Sequence, residues 1–229
     1  MLLTQWMPQN VSTFGGDIDS VFTLVYYIVG IWFIAAELLL VGFTLAYRRR
    51  PGQGAAYIRG DTWSQLAWVL VPCVIVLVLD FFIDARSAPV WANIKEHRPE
   101  QGLNIGVMAK QFNWAFTYPG PDGKLGTDDD FTLDNELHVP VQENILVTLQ
   151  SQDVIHSFFI PVARLKQDVL PGRKIKAWFN IKEPKPERYE LPCAELCGFG
   201  HYTMRGFLVT HAPDEYKQWV ADHAPKPAV

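Results

Sequence analysis

Residues 21–47 read VFTLVYYIVGIWFIAAELLLVGFTLAY, and residues 63–83 read WSQLAWVLVPCVIVLVLDFFI. Glu37 is the only formal charge in the first run and Asp80 the only one in the second. Each run exceeds or matches the roughly 20 residues that cross a bilayer core of about 30 Å as a helix. A buried helix of a soluble protein would keep a polar face over such a length, and neither run has one. The first run is also longer than the h-region of a signal peptide, and no basic residue precedes it. The two runs therefore predict a transmembrane hairpin over 21–84, preceded by an external segment, 1–20. Arg48, Arg49, Arg50 and Arg59 lie between the runs against one acid, Asp61, and no Lys or Arg precedes Tyr47. The excess of positive charge places that loop in the cytoplasm and both termini outside. Glu37 is costly in lipid and must face protein or water. Cys73 reads as a small apolar packing residue.

The rest of the composition excludes several classes. The chain has 229 residues, 49% hydrophobic and 19% charged, with a net charge of −4. It is too apolar for a disordered chain, and a negative balance argues against nucleic acid as a partner. Three Cys are too few for a disulfide scaffold.

After Asp84 the character changes. Residues 85–103, with Pro89, read as a polar connector. Short segments with alternating or β-branched character follow at Asn104–Ala109, Asn144–Gln150, Lys174–Ile181 and Gly206–His211, punctuated by Pro119-Gly120-Pro121 and Pro171-Gly172. They predict an all-β sandwich or barrel over 104–212. The tail, 213–229, reads as a short helix over Asp214–His223 followed by a disordered end.

The most informative segment is Cys193-Ala-Glu-Leu-Cys197-Gly-Phe-Gly-His201-Tyr-Thr-Met204. A thiolate, an imidazole and a thioether within eight residues suit a soft metal. One distant His, His156 at the end of the strand 144–150, completes a His2Cys set with a weak Met, the donor set of a blue-copper site. The second thiolate, Cys193, allows two metals to share two sulfurs, each taking one His. Met204 and the backbone oxygen of Glu195 fill the remaining positions. Three other readings stand beside this one: a Cys193–Cys197 disulfide on an oxidising face, a zinc site with His201, and ordinary packing of His156 and Met204.

These residues resemble subunit II of the haem–copper cytochrome c oxidases over nearly the whole chain. The Cys-x-Glu-x-Cys-x3-His-x2-Met loop, the Asp-Val-Ile-His-Ser stretch around His156 and Leu165-Lys-Gln-Asp168-Val-Leu-Pro171-Gly-Arg173 carry the resemblance. It implies a two-helix membrane hairpin followed by a cupredoxin-like Greek-key domain holding a dinuclear copper centre, CuA. The implied ligands are His156, Cys193, Glu195 through its backbone oxygen, Cys197, His201 and Met204. The Glu195 carboxylate would hold a Mg²⁺ or Mn²⁺ shared with subunit I. The implied partners are subunit I with its haem, subunit III, the lipid bilayer, and a cytochrome c donor, free or held in a larger respiratory assembly. The implied location is a bacterial inner membrane, with the copper domain periplasmic. The implied role is to take electrons from the donor and pass them to a proton-pumping, oxygen-reducing subunit.

The chain departs from the family pattern in two places. The aromatic stretch reads Gln111-Phe112-Asn113-Trp114, so Phe112 stands where relatives hold the Trp that receives the electron, and Trp114 reads as packing against the barrel. Relative to Pro72, Gln65 stands where many relatives place a proton-channel carboxylate, with Asp61 about one turn away. A quinol-oxidising relative would lack the copper ligands, and a copper carrier would expose them.

Asp122, Asp128, Asp129, Asp130, Asp134 and Glu136 oppose only Lys124 within 119–136. They read as a docking surface for a basic cytochrome, as a solvated loop, or as a Ca²⁺ loop over Pro121–Asp130 that lacks EF-hand spacing. His97, His138, His211 and His223 carry no motif and read as surface or packing residues.

Overall fold

The computed structural model describes residues 6–185 and 188–225. It divides into two compact units. Residues 19–91 form one unit; residues up to 18 and from 92 onward form the other.

The first unit is helical. Helix α1 spans Gly15–Ala46 and α2 spans Trp63–Trp91. At 32 and 29 residues, and about 1.5 Å per residue, each is longer than a bilayer core. Large apolar side chains point outward all round, among them Phe33, Leu38, Val69 and Phe81, each more than 60% exposed. Such a surface needs lipid as its solvent. The predicted connector is shorter than its composition suggested. Helix α2 continues past Asp84 to Trp91, and a π-helical turn over Ala92–Glu96 ends it. Pro89 removes one hydrogen bond to the Ala85 carbonyl, and the helix nevertheless continues through it to Trp91.

The second unit is a β domain. Its strands are β1 (Leu103–Lys110), β2 (Asn113–Tyr118), β3 (Phe131–Asp134), β4 (Glu136–Pro140), β5 (Asn144–Ser151), β6 (His156–Ile160), β7 (Leu165–Val169), β8 (Ile175–Asn180), β9 (Tyr189–Pro192) and β10 (Arg205–His211). They form a five-stranded sheet in the order β3-β2-β1-β5-β8, a three-stranded sheet β4-β10-β9, and the ladder β6-β7. Two parallel pairs, β1 with β5 and β4 with β10, join strands distant in sequence through crossover connections. The fold is the cupredoxin-like β domain.

Alternation explains the core. Ile105, Val107 and Ala109 of β1, Trp114, Phe116 and Tyr118 of β2, and Ile145, Val147 and Leu149 of β5 are all buried, and their neighbours face outward. Phe158 of β6 lies edge-on to Trp114 and Phe116 at 5.6 and 6.5 Å. Burying each such ring contributes on the order of 1.5–3 kcal/mol. Helix α3 (Pro213–His223) closes the domain: Trp219 stacks on His138 at 4.4 Å and lies edge-on to Tyr118 at 5.1 Å. The predicted disordered tail falls on residues 226–229, outside the described residues.

The N-terminal segment belongs to this domain. Val11 N–H donates to Val162 O, Lys182 N–H to Val11 O and Thr13 N–H to Asn180 O, while Phe14 packs edge-on to Trp178 at 5.1 Å. Val11 and Phe14 are buried. The chain thus leaves the β unit through α1 and returns to it through α2. A hairpin that starts and ends in one unit crosses a bilayer an even number of times, in agreement with the placement of the basic loop.

Candidate metal centre

Four segments meet at one end of the β domain. His156 does not end β5, as its spacing suggested. A loop over 152–155 intervenes, and His156 instead opens β6, paired with Val169 of β7. The loop matters because it carries Asp153. One oxygen of Asp153 accepts from Val154 N–H at 2.7 Å and pairs with His156 Nε2 at 2.8 Å; the other accepts from Gln111 N–H at 2.6 Å. Its carboxyl lies below the usual carboxylate range: burial pushes it up, but the hydrogen bonds from His156, Gln111 and Val154 outweigh that. With Nε2 tied to a carboxylate, the other imidazole nitrogen, Nδ1, carries the free lone pair.

The segment 193–204 joins β9 to β10 and folds back on itself. Cys193 N–H donates to Met204 O, and Ala194 N–H donates to Ser157 O, which ties the segment to β6. Ser157 Oγ in turn donates to Asp168 Oδ1 at 2.8 Å. Gly198 adopts φ +134°, a conformation that favours glycine. A single 3-10 turn over His201–Thr203 then brings Met204 back over the cysteines.

The ligand atoms fall into two linked halves. Cys193 Sγ lies 3.8 Å from His156 Nδ1 and 3.3 Å from Glu195 O. Cys197 Sγ lies 3.6 Å from His201 Nδ1 and 3.8 Å from Met204 Sδ. The two sulfurs stand 3.9 Å apart. A disulfide needs about 2.05 Å, so these are two free thiols that face each other. Among the described residues, His156, Cys193 and Cys197 are the group whose metal-binding atoms all fall within 4.8 Å of one another. His156, Cys193, Cys197 and Met204 are buried; His201 is half-buried and the Glu195 residue is exposed. Burial, reinforced by Cys193, pushes the Cys197 thiol up to about 12. Such a thiol stays protonated at neutral pH unless a bound cation displaces the proton. The donor set, two soft sulfurs with imidazoles, a thioether and a carbonyl, fits copper.

Phe112 and Trp114 border this site differently. Trp114 is fully buried, with its ring 6.0 Å from that of His156. Phe112 is half-buried and lies under the loop: a Cβ at Gly200 would come within 2.5 Å of its ring, and one at Gly198 within 3.2 Å. Gln111 Nε2 donates to Cys197 O. Asp153 and Gln111 were not singled out from sequence as site residues, although an Asp three positions before a ligand His is a readable signal.

The six acids do not form one surface. Asp122, Asp128, Asp129 and Asp130 lie in the β2–β3 turn, beyond the Tyr118–Phe131 pair. Asp134 pairs with Ala115 at the opposite, metal-proximal end. Glu136 is engaged by Arg188 and His138, each at 3.4 Å. Three of the four turn carboxylates are engaged by their own loop: Asp129 accepts from Asp122 N–H and Thr127 Oγ, Asp122 from Lys124 N–H, and Asp130 from Gly126 N–H. In the helical unit, Gln65 Oε1 accepts from Gly60 N–H at 2.7 Å and Asp61 lies 3.8 Å from Arg59.

A membrane hairpin joined to a cupredoxin-like domain with a Cys2His2Met cluster defines a class of redox subunit. The family model for the periplasmic domain of cytochrome c oxidase subunit II matches residues 115–210. The chain is 29% identical to the alternative cytochrome c oxidase subunit 2 of Bradyrhizobium diazoefficiens, over 96% of this chain and 84% of that protein. It is equally identical, at 29%, to cytochrome c oxidase subunit 2 of Synechocystis, over 96% of this chain and 76% of the relative. Among solved structures, the periplasmic domain of subunit II of cytochrome oxidase from Bradyrhizobium japonicum aligns with TM-score 0.48 at 28% identity, covering 55% of this chain and 95% of that one. Over the β domain the chain matches the cytochrome c oxidase subunit II family, and relatives similar to nearly its whole length carry that name.

Proposed function

We propose that this chain is the electron-accepting subunit of a respiratory oxidase. On this reading it holds a dinuclear copper centre that takes electrons from a cytochrome c and delivers them to haem in subunit I. One observation carries the reading: two buried thiols 3.9 Å apart, each within 3.8 Å of a different imidazole Nδ1. A zinc site would use all its donors around one ion, whereas this set divides into two halves, each with its own sulfur and its own imidazole.

Two copper ions bound here would supply a one-electron acceptor spread over both nuclei. The chain's own residues do the rest. Asp153 holds His156 in the Nε2–H tautomer, so that Nδ1 is a lone-pair donor. Cys193 and Cys197 lose their protons on binding. The backbone ties Cys193–Met204 and Ala194–Ser157 fix the loop, which limits movement of the ligands between oxidation states. Burial of four of the six ligand residues excludes water and leaves no open position for substrate chemistry. Phe112, against the loop backbone, and Trp114, against His156, offer packed routes for the arriving electron. The exposed Glu195 carboxylate is the group for a Mg²⁺ or Mn²⁺ shared with subunit I, and the outer face of the bacterial inner membrane is the location. Oxygen reduction and proton pumping belong to the partner.

The test is metal content and spectrum of the purified complex. Two coppers per chain with hyperfine structure shared over both nuclei supports the reading. One zinc, or no copper after expression with copper supplied, overturns it.

A further inference from the structure

Four arginines stand in the short segment that joins the two membrane helices. Arg48, Arg49 and Arg50 follow α1, which ends at Ala46, and Arg59 precedes α2, which begins at Trp63. Asp61 is the only acid between the helices, and it lies 3.8 Å from Arg59. The segment thus keeps an excess of three positive charges, four Arg against one Asp, and the excess sits at Arg48–Arg50. All three are exposed, and among the described residues no acid pairs with them. The backbone turns directly after them: Gln53 N–H donates to Arg50 O at 3.2 Å, and Gly52 adopts φ +79°. The turn keeps the arginines at the end of α1.

Their level follows from helix geometry. The apolar run ends at Tyr47. At about 1.5 Å per residue the stretch 21–47 spans roughly 40 Å, more than the hydrocarbon core of about 30 Å. The residues after Tyr47 therefore stand among the lipid headgroups, on the membrane face opposite the β domain. Aromatic side chains mark the same level. Tyr47 is 80% exposed, Tyr57 88% and Trp63 83%. Such rings prefer the bilayer interface, where one end is apolar and the other wet. Unpaired cations and exposed rings thus occur together in one short segment between two lipid-facing helices.

We propose that Arg48, Arg49 and Arg50 form a binding site for the headgroup of an anionic phospholipid in the leaflet opposite the β domain, with Tyr47 and Tyr57 seated in the same interface. Charge complementarity selects this occupant. A phosphodiester accepts two parallel N–H bonds from the planar fork of a guanidinium, a match that an ammonium does not offer. A zwitterionic headgroup brings its own cation to the same place and gains less. An anionic headgroup leaves its phosphate charge uncompensated, and the three unpaired arginines supply the counter-charge. The site does not depend on the metal centre, only on the helical hairpin.

The experiment uses the full chain in the complex with which it purifies, returned to phosphatidylcholine vesicles. The probes are photoreactive phosphatidylglycerol and photoreactive phosphatidylcholine, added separately, and mass spectrometry measures the lipid cross-linked to residues 47–63. Phosphatidylglycerol is expected to label this segment at least about tenfold more than phosphatidylcholine, and salt at about 1 M should remove most of the difference. The double variant Arg49→Gln, Arg50→Gln keeps Arg48 and Arg59, so the loop stays more basic than acidic and the hairpin keeps its orientation. Its phosphatidylglycerol labelling is expected to fall about 25-fold, at about fivefold per arginine. Arg49→Lys, Arg50→Lys keeps the charge and is expected to stay within about threefold of the unmodified chain. If the double glutamine variant fails to reach the membrane, Arg50→Gln alone should show the fivefold loss. Equal labelling by the two lipids overturns the proposal, as does unchanged phosphatidylglycerol labelling in the glutamine variants. Cross-links from 47–63 to an acidic segment of a neighbouring subunit, with no lipid attached, assign the charge to a protein contact and overturn it as well.

Discussion

The two ends of the β2–β3 hairpin carry polar clusters built on opposite plans. At the Asn113 end, β2, the 152–155 loop, β6 and the 193–204 loop converge. There two thiols, two Nδ1 atoms and a thioether face one another. At the Tyr118 end, one loop of consecutive residues supplies every carboxylate, and that same loop supplies the N–H and O–H groups that engage Asp122, Asp129 and Asp130. A cluster assembled from distant strands is held in place by the surrounding core. A cluster on one turn has its donors and acceptors within a few residues of each other.

The sharpest way to break this contrast is at the sulfurs. Cys197→Ser should abolish the copper signal altogether while leaving membrane insertion intact, since the helical unit does not depend on the metal. Retention of the full signal would show the ligand assignment to be wrong. Next in size is Asp153→Ala. Every proposed ligand stays, but His156 loses the partner that sets its tautomer. Copper affinity, measured by competition with a chelator, should fall about 10- to 100-fold; an unchanged affinity would mean that Asp153 serves only the Gln111 and Val154 backbone.

A smaller effect concerns acidity at a third polar group, the His138–His211 pair. Their ring nitrogens lie 2.8 Å apart and His138 stacks on Trp219. Burial holds both imidazoles below the usual histidine range; Glu136 opposes this for His138, and His211 and His223 add to it. The unfolded chain then binds protons first as pH falls below about 6.5, so stability is lost in that window on acidification and is full above it. Thermal unfolding of the intact complex between about pH 7 and pH 5 should show that slope, and His138→Phe should flatten it while keeping the stack. The smallest effect belongs to the acidic turn. Asp129→Asn weakens an acceptor for Asp122 N–H and Thr127 Oγ, and its carboxyl lies below the usual range chiefly through the Thr127 bond. A slight fall in melting temperature with an unaltered copper spectrum is expected; a changed spectrum would show that the two ends of the hairpin communicate.

Legibility followed the range of the interactions. The strands at 104–109, 144–150, 174–181 and 206–211 were readable because each alternates over its own length. Strands β3, β4, β6, β7 and β9 are four or five residues long, too short for periodicity to show, and exist because neighbours complete their hydrogen bonds. Helix α2 outran its predicted end because Pro89 costs it one backbone hydrogen bond without stopping it. The 193–204 loop announced its chemistry because five donors sit within twelve residues.

What the sequence determined alone was whatever depends on composition or near neighbours: two lipid-length helices, the sidedness implied by Arg48–Arg50, and the sulfur- and imidazole-bearing loop. Only the tertiary structure decided which distant groups meet it. It set Asp153 behind His156, Phe112 under Gly198 and Gly200, the N-terminal segment against β8, and the acidic turn at the end of the hairpin away from the cysteines. The physical reason is that strand register fixes positions across the sheet to within one residue, and register depends on every strand burying its own apolar face at once.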